Sequence, residues 1–285
     1  KYYYWLQDYN KDGLLDLISF TDNSNGCQIA VFLQKENKEF QQPKYISLPN
    51  TKDQNWSEGE LRLLDLNNDG LLDIIETSIE HPLKENTSFL PLIISKIYFA
   101  EDTFKFNFQP NNICKSVYIP GLDNIVNLDN NGYYGILTAP PPLKLGSKES
   151  IIKVVENKEI TFNLGYYIIK KDKNKPLSYV ALNKDFSMVL PGLTELDNFR
   201  QFIRFEDITG DGVPNILFLK KTSLLELTKL KKTGDALSID KTIDLPLSCS
   251  ITEVKTIDIN SDGKKELLML GADGKRIYVV YLRGL

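Results

Sequence analysis

The strongest constraint on this chain is a nine-residue acidic segment that returns along its length. Asp8-Tyr9-Asn10-Lys11-Asp12-Gly13-Leu14-Leu15-Asp16 recurs as Asp65-Leu66-Asn67-Asn68-Asp69-Gly70-Leu71-Leu72-Asp73, as Asp207-Ile208-Thr209-Gly210-Asp211-Gly212-Val213-Pro214-Asn215, and as Asp258-Ile259-Asn260-Ser261-Asp262-Gly263-Lys264-Lys265-Glu266. A looser copy runs from Asn127 to Gly135 and keeps only Asp129 of the carboxylates. The copies start at residues 8, 65, 127, 207 and 258, so the intervals are 57, 62, 80 and 51 residues. A recurring period of this kind means that one supersecondary unit is repeated and that neighbouring units share their hydrophobic faces.

The flanks of the segment repeat as well. Its second position is always apolar, and so are the two residues that follow its ninth: Leu17-Ile18, Ile74-Ile75, Ile136-Leu137, Ile216-Leu217 and Leu267-Leu268. Upstream, Glu60 to Leu66, Phe202 to Ile208 and Glu253 to Ile259 are short, partly alternating and rich in apolar or β-branched residues, which favours strands over helices. A segment closing in proline recurs between the acidic loops, at Ile46 to Pro49, Val117 to Pro120, Met188 to Pro191 and Ile243 to Pro246. The unit therefore reads as strand, acidic loop, strand, strand, and a last strand ending near the proline. Repeated, this is an all-β fold: a β-propeller of four-stranded antiparallel blades, about five of them visible, with room for a larger ring of six or seven. The unit boundaries fall at about 1–49, 50–120, 121–191, 192–246 and 247–285 of a single domain, and the long third unit calls for an insertion between Pro140 and Lys175. The chain opens on a first strand and stops on a third, so the fifth unit would lack its last strand, and the expectation is a piece of a longer protein.

The loop itself points to a cation. In a tight turn, alternate side chains aim at one centre, so oxygens at positions one, three, five and nine plus the carbonyl of position seven form a cage, with glycine at six permitting the sharp bend. The ligand sets would be Asp8, Asn10, Asp12, Leu14 and Asp16; Asp65, Asn67, Asp69, Leu71 and Asp73; Asp207, Thr209, Asp211, Val213 and Asn215; and Asp258, Asn260, Asp262, Lys264 and Glu266. Ligation by oxygen alone selects calcium, with two to four structural ions expected. An EF-hand opens with the same residues, but it needs a glutamate at position twelve, where this chain has Ser19, Glu76, Phe218 and Met269.

Composition narrows the function classes. A formal net charge of −4 argues against a nucleic-acid binder, and the longest apolar stretch, Phe89 to Ala100, is interrupted by Lys96 and falls well short of a membrane span. With one histidine, His81, and three scattered cysteines, Cys27, Cys114 and Cys249, the chain lacks the makings of zinc sites, redox pairs and common hydrolase triads, so no enzyme is expected. Tyr2, Tyr3, Tyr4 and Trp5 read as core residues of the first strand, with a sugar-stacking platform as the alternative, and Trp56 as the better candidate for an exposed aromatic.

Taken together, the loops and their flanking strands resemble the FG-GAP/VCBS repeats of integrin-alpha-like β-propellers, whose blades carry DxNxDGxxD calcium loops between the first two strands. The Phe-Gly and Gly-Ala-Pro elements of the integrin-type repeat are missing, which brings the chain closer to the VCBS-like variety. The resemblance implies structural calcium on the face of the propeller away from the ligand surface. It implies a non-catalytic adhesion or protein-interaction module of a secreted or cell-surface protein, with a protein partner expected and carbohydrate as the alternative. A shell segment of a large assembly, such as a bacterial toxin complex, and an accessory propeller of an extracellular carbohydrate-active enzyme are the other readings the resemblance leaves open.

Overall fold

The computed structural model describes residues 2–23, 26–48, 60–80, 92–108, 112–117, 125–128, 134–139, 156, 159–170, 177–189, 203–234, 236–272 and 274–282. All of its named elements are strands. The first sheet joins β1 (Tyr2–Gln7), β2 (Asp16–Asn23), β3 (Gly26–Phe32) and β4 (Lys44–Ser47) in chain order. The second joins β5 (Glu60–Leu64), β6 (Asp73–Glu80), β7 (Leu92–Tyr98) and β10 (Asn112–Val117), with a small hairpin of β8 (Ala100–Asp102) and β9 (Lys105–Phe106) interposed. The third contains β11 (Ile125–Asn127), β12 (Tyr134–Thr138), β13 (Glu159–Ile168) and β14 (Ser178–Val189); the fourth, β15 (Ile203–Glu206), β16 (Asn215–Lys221), β17 (Leu224–Thr233) and β18 (Ala236–Pro246). The fifth has three strands among the described residues: β19 (Ile251–Ile257), β20 (Glu266–Gly271) and β21 (Ile277–Val280).

The strands follow from the alternation in the sequence. In the first sheet Ile18 stands opposite Trp5 and Val31, and Phe20 opposite Tyr3 and Ile29, so one apolar row lies on one face and Leu17, Ser19 and Thr21 lie on the other. Where the run is continuously apolar, as in Ile216 to Leu219, every residue is buried and both faces of the strand are covered. Short hairpins set the registers: Lys221 pairs with Leu224 across Thr222-Ser223, and Thr233 pairs with Ala236 across a turn in which Gly234 has φ +63°.

Two compact units emerge. One comprises Lys1–Glu80, Ile93–Cys114 and Lys170–Pro176; the other comprises His81–Leu92, Lys115–Ile169 and Leu177–Leu285. In the first unit, Ile18, Phe20, Ile29, Val31 and Ile46 of the first sheet share a core with Leu63, Ile74 and Tyr98 of the second. The interposed hairpin, which the sequence did not announce, adds Phe104 and Phe106 to this core, and Tyr9 packs its ring 5.3 Å from Phe104 while its hydroxyl donates to the carbonyl of Thr103. Tyr98 donates to buried Glu76 at 2.8 Å, and Lys96 pairs with the same carboxylate at 3.4 Å, so this interior charge is compensated.

The second unit is organised round three rings. Phe162 stacks on Phe186 at 6.0 Å, and Phe218 meets both edge-on at 5.8 Å, an arrangement that contributes about 0.5–1.5 kcal/mol per pair beyond the area buried. Beside them Lys184 of β14 donates to Glu226, Thr228 and Thr242 of the fourth sheet, a half-buried ammonium with all three protons in use.

Part of the expected insertion in the third unit is the regular strand β13, whose Phe162, Leu164 and Tyr166 are core residues. Residues 140–155 and 171–176, the proline run and most of the lysine-rich run, lie outside the described residues, as do Trp56, His81, residues 129–133 of the third acidic loop, and Pro49, Pro120 and Pro191. Among the first aromatics, Trp5 is half-buried and donates to Gln7 Oε1 at 3.1 Å, whereas Tyr4 is 78% exposed. Cys114 and Cys249 are free thiols, the first buried and the second half-buried. Burial pushes the Cys114 thiol up to about 12, so at mildly alkaline pH almost none of it is the reactive thiolate. Cys114 is therefore expected to resist iodoacetamide in the native protein and to react once urea unfolds it; native labelling of Cys114, located by peptide mass spectrometry, would contradict the fold around β10.

Candidate metal centre

Four acidic loops are described, and each joins the first strand of its sheet to the second. They share one backbone shape. The fourth and sixth residues have positive φ in every case: Lys11 at 59° and Gly13 at 87°, Asn68 at 57° and Gly70 at 95°, Gly210 at 73° and Gly212 at 79°, Ser261 at 59° and Gly263 at 83°. Glycine at position six carries no penalty there, whereas Lys11 and Ser261 adopt the left-handed region against their own preference, so the rest of the loop must hold them.

The side chains do the holding. Asp8 accepts the amides of Asp12 at 3.1 Å and Gly13 at 2.9 Å; Asp65 accepts those of Asp69 and Gly70, both at 3.0 Å; Asp258 accepts those of Asp262 at 3.1 Å and Gly263 at 2.9 Å. In the loop before β16, Asp207 takes Gly210 at 2.7 Å and Gly212 at 2.8 Å instead. The third residues Asn10, Asn67 and Asn260 accept the amide of the fifth and donate back to its carboxylate. The fifth residues Asp12, Asp69, Asp211 and Asp262 in turn accept the amides of Leu14, Leu71, Val213 and Lys264, so the residues expected to offer carbonyls are oriented through their N–H groups.

The ninth residue has a separate place. Asp16, Asp73, Asn215 and Glu266 are buried under the loop, and each accepts the amide of the second loop residue: Tyr9 at 2.8 Å, Leu66 at 3.0 Å, Ile208 at 3.1 Å and Ile259 at 2.9 Å. Asp16 also accepts from Gln34, and Asp73 from Ala100 of the interposed hairpin, so each ties three segments of the chain together. Asn215 has only one oxygen to offer. It receives Ile208, Thr209 and the Thr209 hydroxyl on that oxygen, and its buried Nδ2 has no partner among the described residues. In the third sheet the ninth position is Gly135, where a Cβ would come 2.9 Å from the Tyr167 carbonyl oxygen and 3.0 Å from Leu128, so there is no room for the acceptor side chain found at this position elsewhere.

Burial drives the electrostatics. The carboxyl of Asp73 is pushed up from 3.8 to about 7, chiefly by desolvation and further by the charges of Asp69 and Asp65, while the amides of Ala100 and Leu66 pull it back. Lys11 reaches across from its own loop to Asp65 at 2.6 Å, placing an ammonium on the first oxygen donor of the next loop. In the second unit the loops before β16 and β20 touch: Lys265 pairs with Glu206, its amide donates to the carbonyl of Ile208, and a Cβ on Gly210 would lie 2.5 Å from the carbonyl oxygen of Gly263.

The donor set suits a hard cation, because it consists of carboxylate and amide oxygens that keep a second lone pair after accepting one amide. Among the described residues, no three Asp, Glu, His or Cys side chains are grouped so as to hold a metal ion. The structure thus brings the first, third and fifth residues together in the turns that begin at Asp8, Asp65 and Asp258 and sets the ninth beneath them as a clamp on the backbone, whereas in the turn that begins at Asp207 the third residue, Thr209, donates to the ninth, Asn215. Sequence reasoning treated all four positions alike. The cue for the difference was the ninth residue's place directly before the two apolar residues of a buried strand.

Residues 8–75 match the model of the FG-GAP-like repeat, and the chain carries that repeat. No curated protein matches the sequence. Among solved structures, an Agrocybe aegerita lectin, described for its specific recognition of non-reducing terminal N-acetylglucosamine, aligns over 100% of this chain with a TM-score of 0.51 and 14% identity; the chain spans 64% of the lectin chain's length. The Photorhabdus luminescens Tc holotoxin pore aligns over 93% of this chain and 13% of its own, at 13% identity, with a TM-score of 0.27 that is too low to bear on the fold.

With a chelator present, Asp16→Ala or Asp73→Ala should cost about 2–5 kcal/mol, because each strands two backbone amides. Asp12→Ala or Asp69→Ala, at exposed turns, should cost about 1 kcal/mol or less. Urea unfolding reads the difference, and equal losses at the two kinds of position would remove the clamp assignment. Gly210→Ala should lower the melting temperature more than a substitution at Gly234, which has open space around it.

Proposed function

From a chain that carries an FG-GAP-like repeat, we propose a non-catalytic β-propeller whose acidic loops take structural calcium and which serves as an adhesion or protein-interaction module of a secreted or cell-surface protein. The observation that carries this reading is the conservation of one loop shape in four places. Each loop fixes the step from the first to the second strand of its sheet and sets a half-buried first and an exposed fifth carboxylate above a buried ninth residue, while the third residue is exposed at Asn10 and Asn260, half-buried at Thr209 and buried at Asn67. Backbone-binding acceptors at repeated positions are the work of a scaffold, and they leave the sheets as the surface on which specificity is built.

Bound calcium would supply the positive charge that Asp8, Asp12 and Asp16, and their equivalents, otherwise lack. Lys11 on Asp65 supports this: an exposed ammonium already finds the charge of that loop attractive. Asp207, Thr209, Asp211 and Asn215 offer two carboxylates against three in the other loops, so the turn before β16 is the weakest of the four candidates.

The partner expected is a protein. Carbohydrate is the second reading, prompted by the sugar recognition of the similarly folded lectin, and a glycan array distinguishes the two. Calcium dependence is tested by thermal melting in excess EGTA and in millimolar calcium, with magnesium as control. A ligand that binds only the folded state, at about 100 times its dissociation constant, adds about 2.7 kcal/mol per independent site. A rise in melting temperature specific to calcium, weakened by Asp12→Ala and Asp69→Ala, is the expected result. Identical melting in all three conditions, with no calcium in the purified protein by mass spectrometry, would end the calcium reading.

A further inference from the structure

The acidic loops that begin at Asp8, Asp65 and Asp258 each offer three carboxylates, yet they differ at one atom. A carboxylate oxygen has two lone pairs. On Asp8 and Asp258 each oxygen accepts one loop amide and, among the described residues, nothing else, so all four oxygens keep a lone pair for a cation. The oxygens of Asp65 likewise accept one amide each, from Asp69 and Gly70 at 3.0 Å. Oδ2 of Asp65 then takes the ammonium of Lys11 as well, at 2.6 Å, and both of its lone pairs are in use.

The first loop aims that ammonium. Lys11 is its fourth residue, held in the left-handed region at φ 59° by the bonds that Asp8 and Asn10 make to the amide of Asp12. The partner lies 54 positions further along the chain, so the contact is a tie between two loops of the first unit and not a local pairing. Its two ends differ in solvation. The side chain of Asp65 is 14% exposed and has little water to offset its charge, whereas that of Lys11 is 46% exposed. A charge-assisted bond of this length suits the carboxylate, and the ammonium can return to solvent without breaking a packed contact.

A divalent cation held by the second loop through Asp65 Oδ2 needs the lone pair that Lys11 occupies. An ammonium left in place beside it would put two like charges on one oxygen, which is repulsive. The two cations therefore exclude each other at this atom, and the loops that begin at Asp8 and Asp258 carry no such competitor among the described residues.

We propose that Lys11 is a tethered cation that the first loop lends to the second: it offsets the charge of Asp65 when calcium is scarce, is displaced when calcium binds, and so sets the calcium concentration at which the second loop fills. The inference rests on the calcium reading above and adds to it a residue that no ligand set contains. It also links the two loops, because the shape of the first decides where the ammonium falls.

The test is made on the 285-residue chain, by thermal melting and by isothermal titration with calcium. Lys11→Asn keeps the backbone turn, since Asn68 stands at the same position of the second loop with φ 57°. In EGTA the variant should melt below the wild type, because Asp65 loses its countercharge; in millimolar calcium the two should melt together. One site of the variant should bind calcium about three- to fivefold more tightly, and the others as before. Lys11→Arg retains a tethered cation and should behave as the wild type. Lys38→Asn removes the same charge from another left-handed position, at φ 67° in the loop between β3 and β4, and should change neither reading. Adding Asp69→Ala to Lys11→Asn should abolish the tightened site, which assigns it to the second loop. Calcium bound by Lys11→Asn as tightly as by the wild type, or more weakly, would overturn the inference and leave the calcium reading standing. An equal gain from Lys38→Asn, or a gain that survives Asp69→Ala, would overturn it as well. Titrations in which neither wild type nor variant binds calcium would overturn both readings.

Discussion

A buried oxygen on the residue that opens the second strand in four of the five sheets is the interaction on which the other features depend. Asp16, Asp73, Asn215 and Glu266 are buried and accept the amide of the second residue beyond the first strand. An amide left unsatisfied in that position costs more than an ordinary hydrogen bond contributes, so the acceptor fixes where the first strand stops and the second begins. The left-handed residues of the loop, the outward oxygens above it, and the register of the paired strands are all set by that choice. Where Gly135 replaces the acceptor, the Tyr167 carbonyl and Leu128 leave no room for a side chain.

The same clamp explains why these loops attract positive charge. A carboxylate that must stay under the loop raises the cost of the other carboxylates around it, and Asp73, desolvated and flanked by Asp65 and Asp69, shows the strain in its elevated proton affinity. Lys11 relieves part of that field from the neighbouring loop. In the second unit the relief takes another form: Lys265 pairs with Glu206 at the start of the preceding loop, and the backbones at Gly210 and Gly263 come close enough that neither loop can move alone. Each unit thus couples its acidic loops in pairs, by charge in one case and by contact in the other.

Much of this was legible beforehand because the repeat imposes itself on local chemistry. The acidic nonapeptide, the apolar pair after it and the alternation of Ile18 and Phe20 with Leu17 and Ser19 specify strands, their order and the position of each loop. Less visible was whatever depends on partners distant in sequence. The hairpin of β8 and β9 is two short polar-edged strands whose purpose, carrying Phe104 and Phe106 onto Tyr9, exists only once the first two sheets meet. Strand β13 was hidden because the length of the third unit suggested an insertion, although Phe162, Leu164 and Tyr166 carry the alternation of a core strand. The separate task of the ninth loop residue is not set by the loop's own pattern, since a metal ligand and a backbone acceptor call for the same oxygen; its one cue is the buried apolar pair that follows it.

The alternation of side chains along each strand bears on how such a chain tolerates changes in length. Adjacent side chains of a strand point to opposite sides, so removing one residue from β16 would exchange the Phe218 row with the Leu217 row and turn each sheet contact of the fourth sheet inside out. Removing a whole repeat leaves the alternation within every remaining strand as it was. Spacings of 51 to 80 residues between acidic loops fit this reading: length is free in the connections and fixed in the strands. Among descendants of such a sequence, gain and loss of entire sheets should be commoner than the gain or loss of a single strand residue.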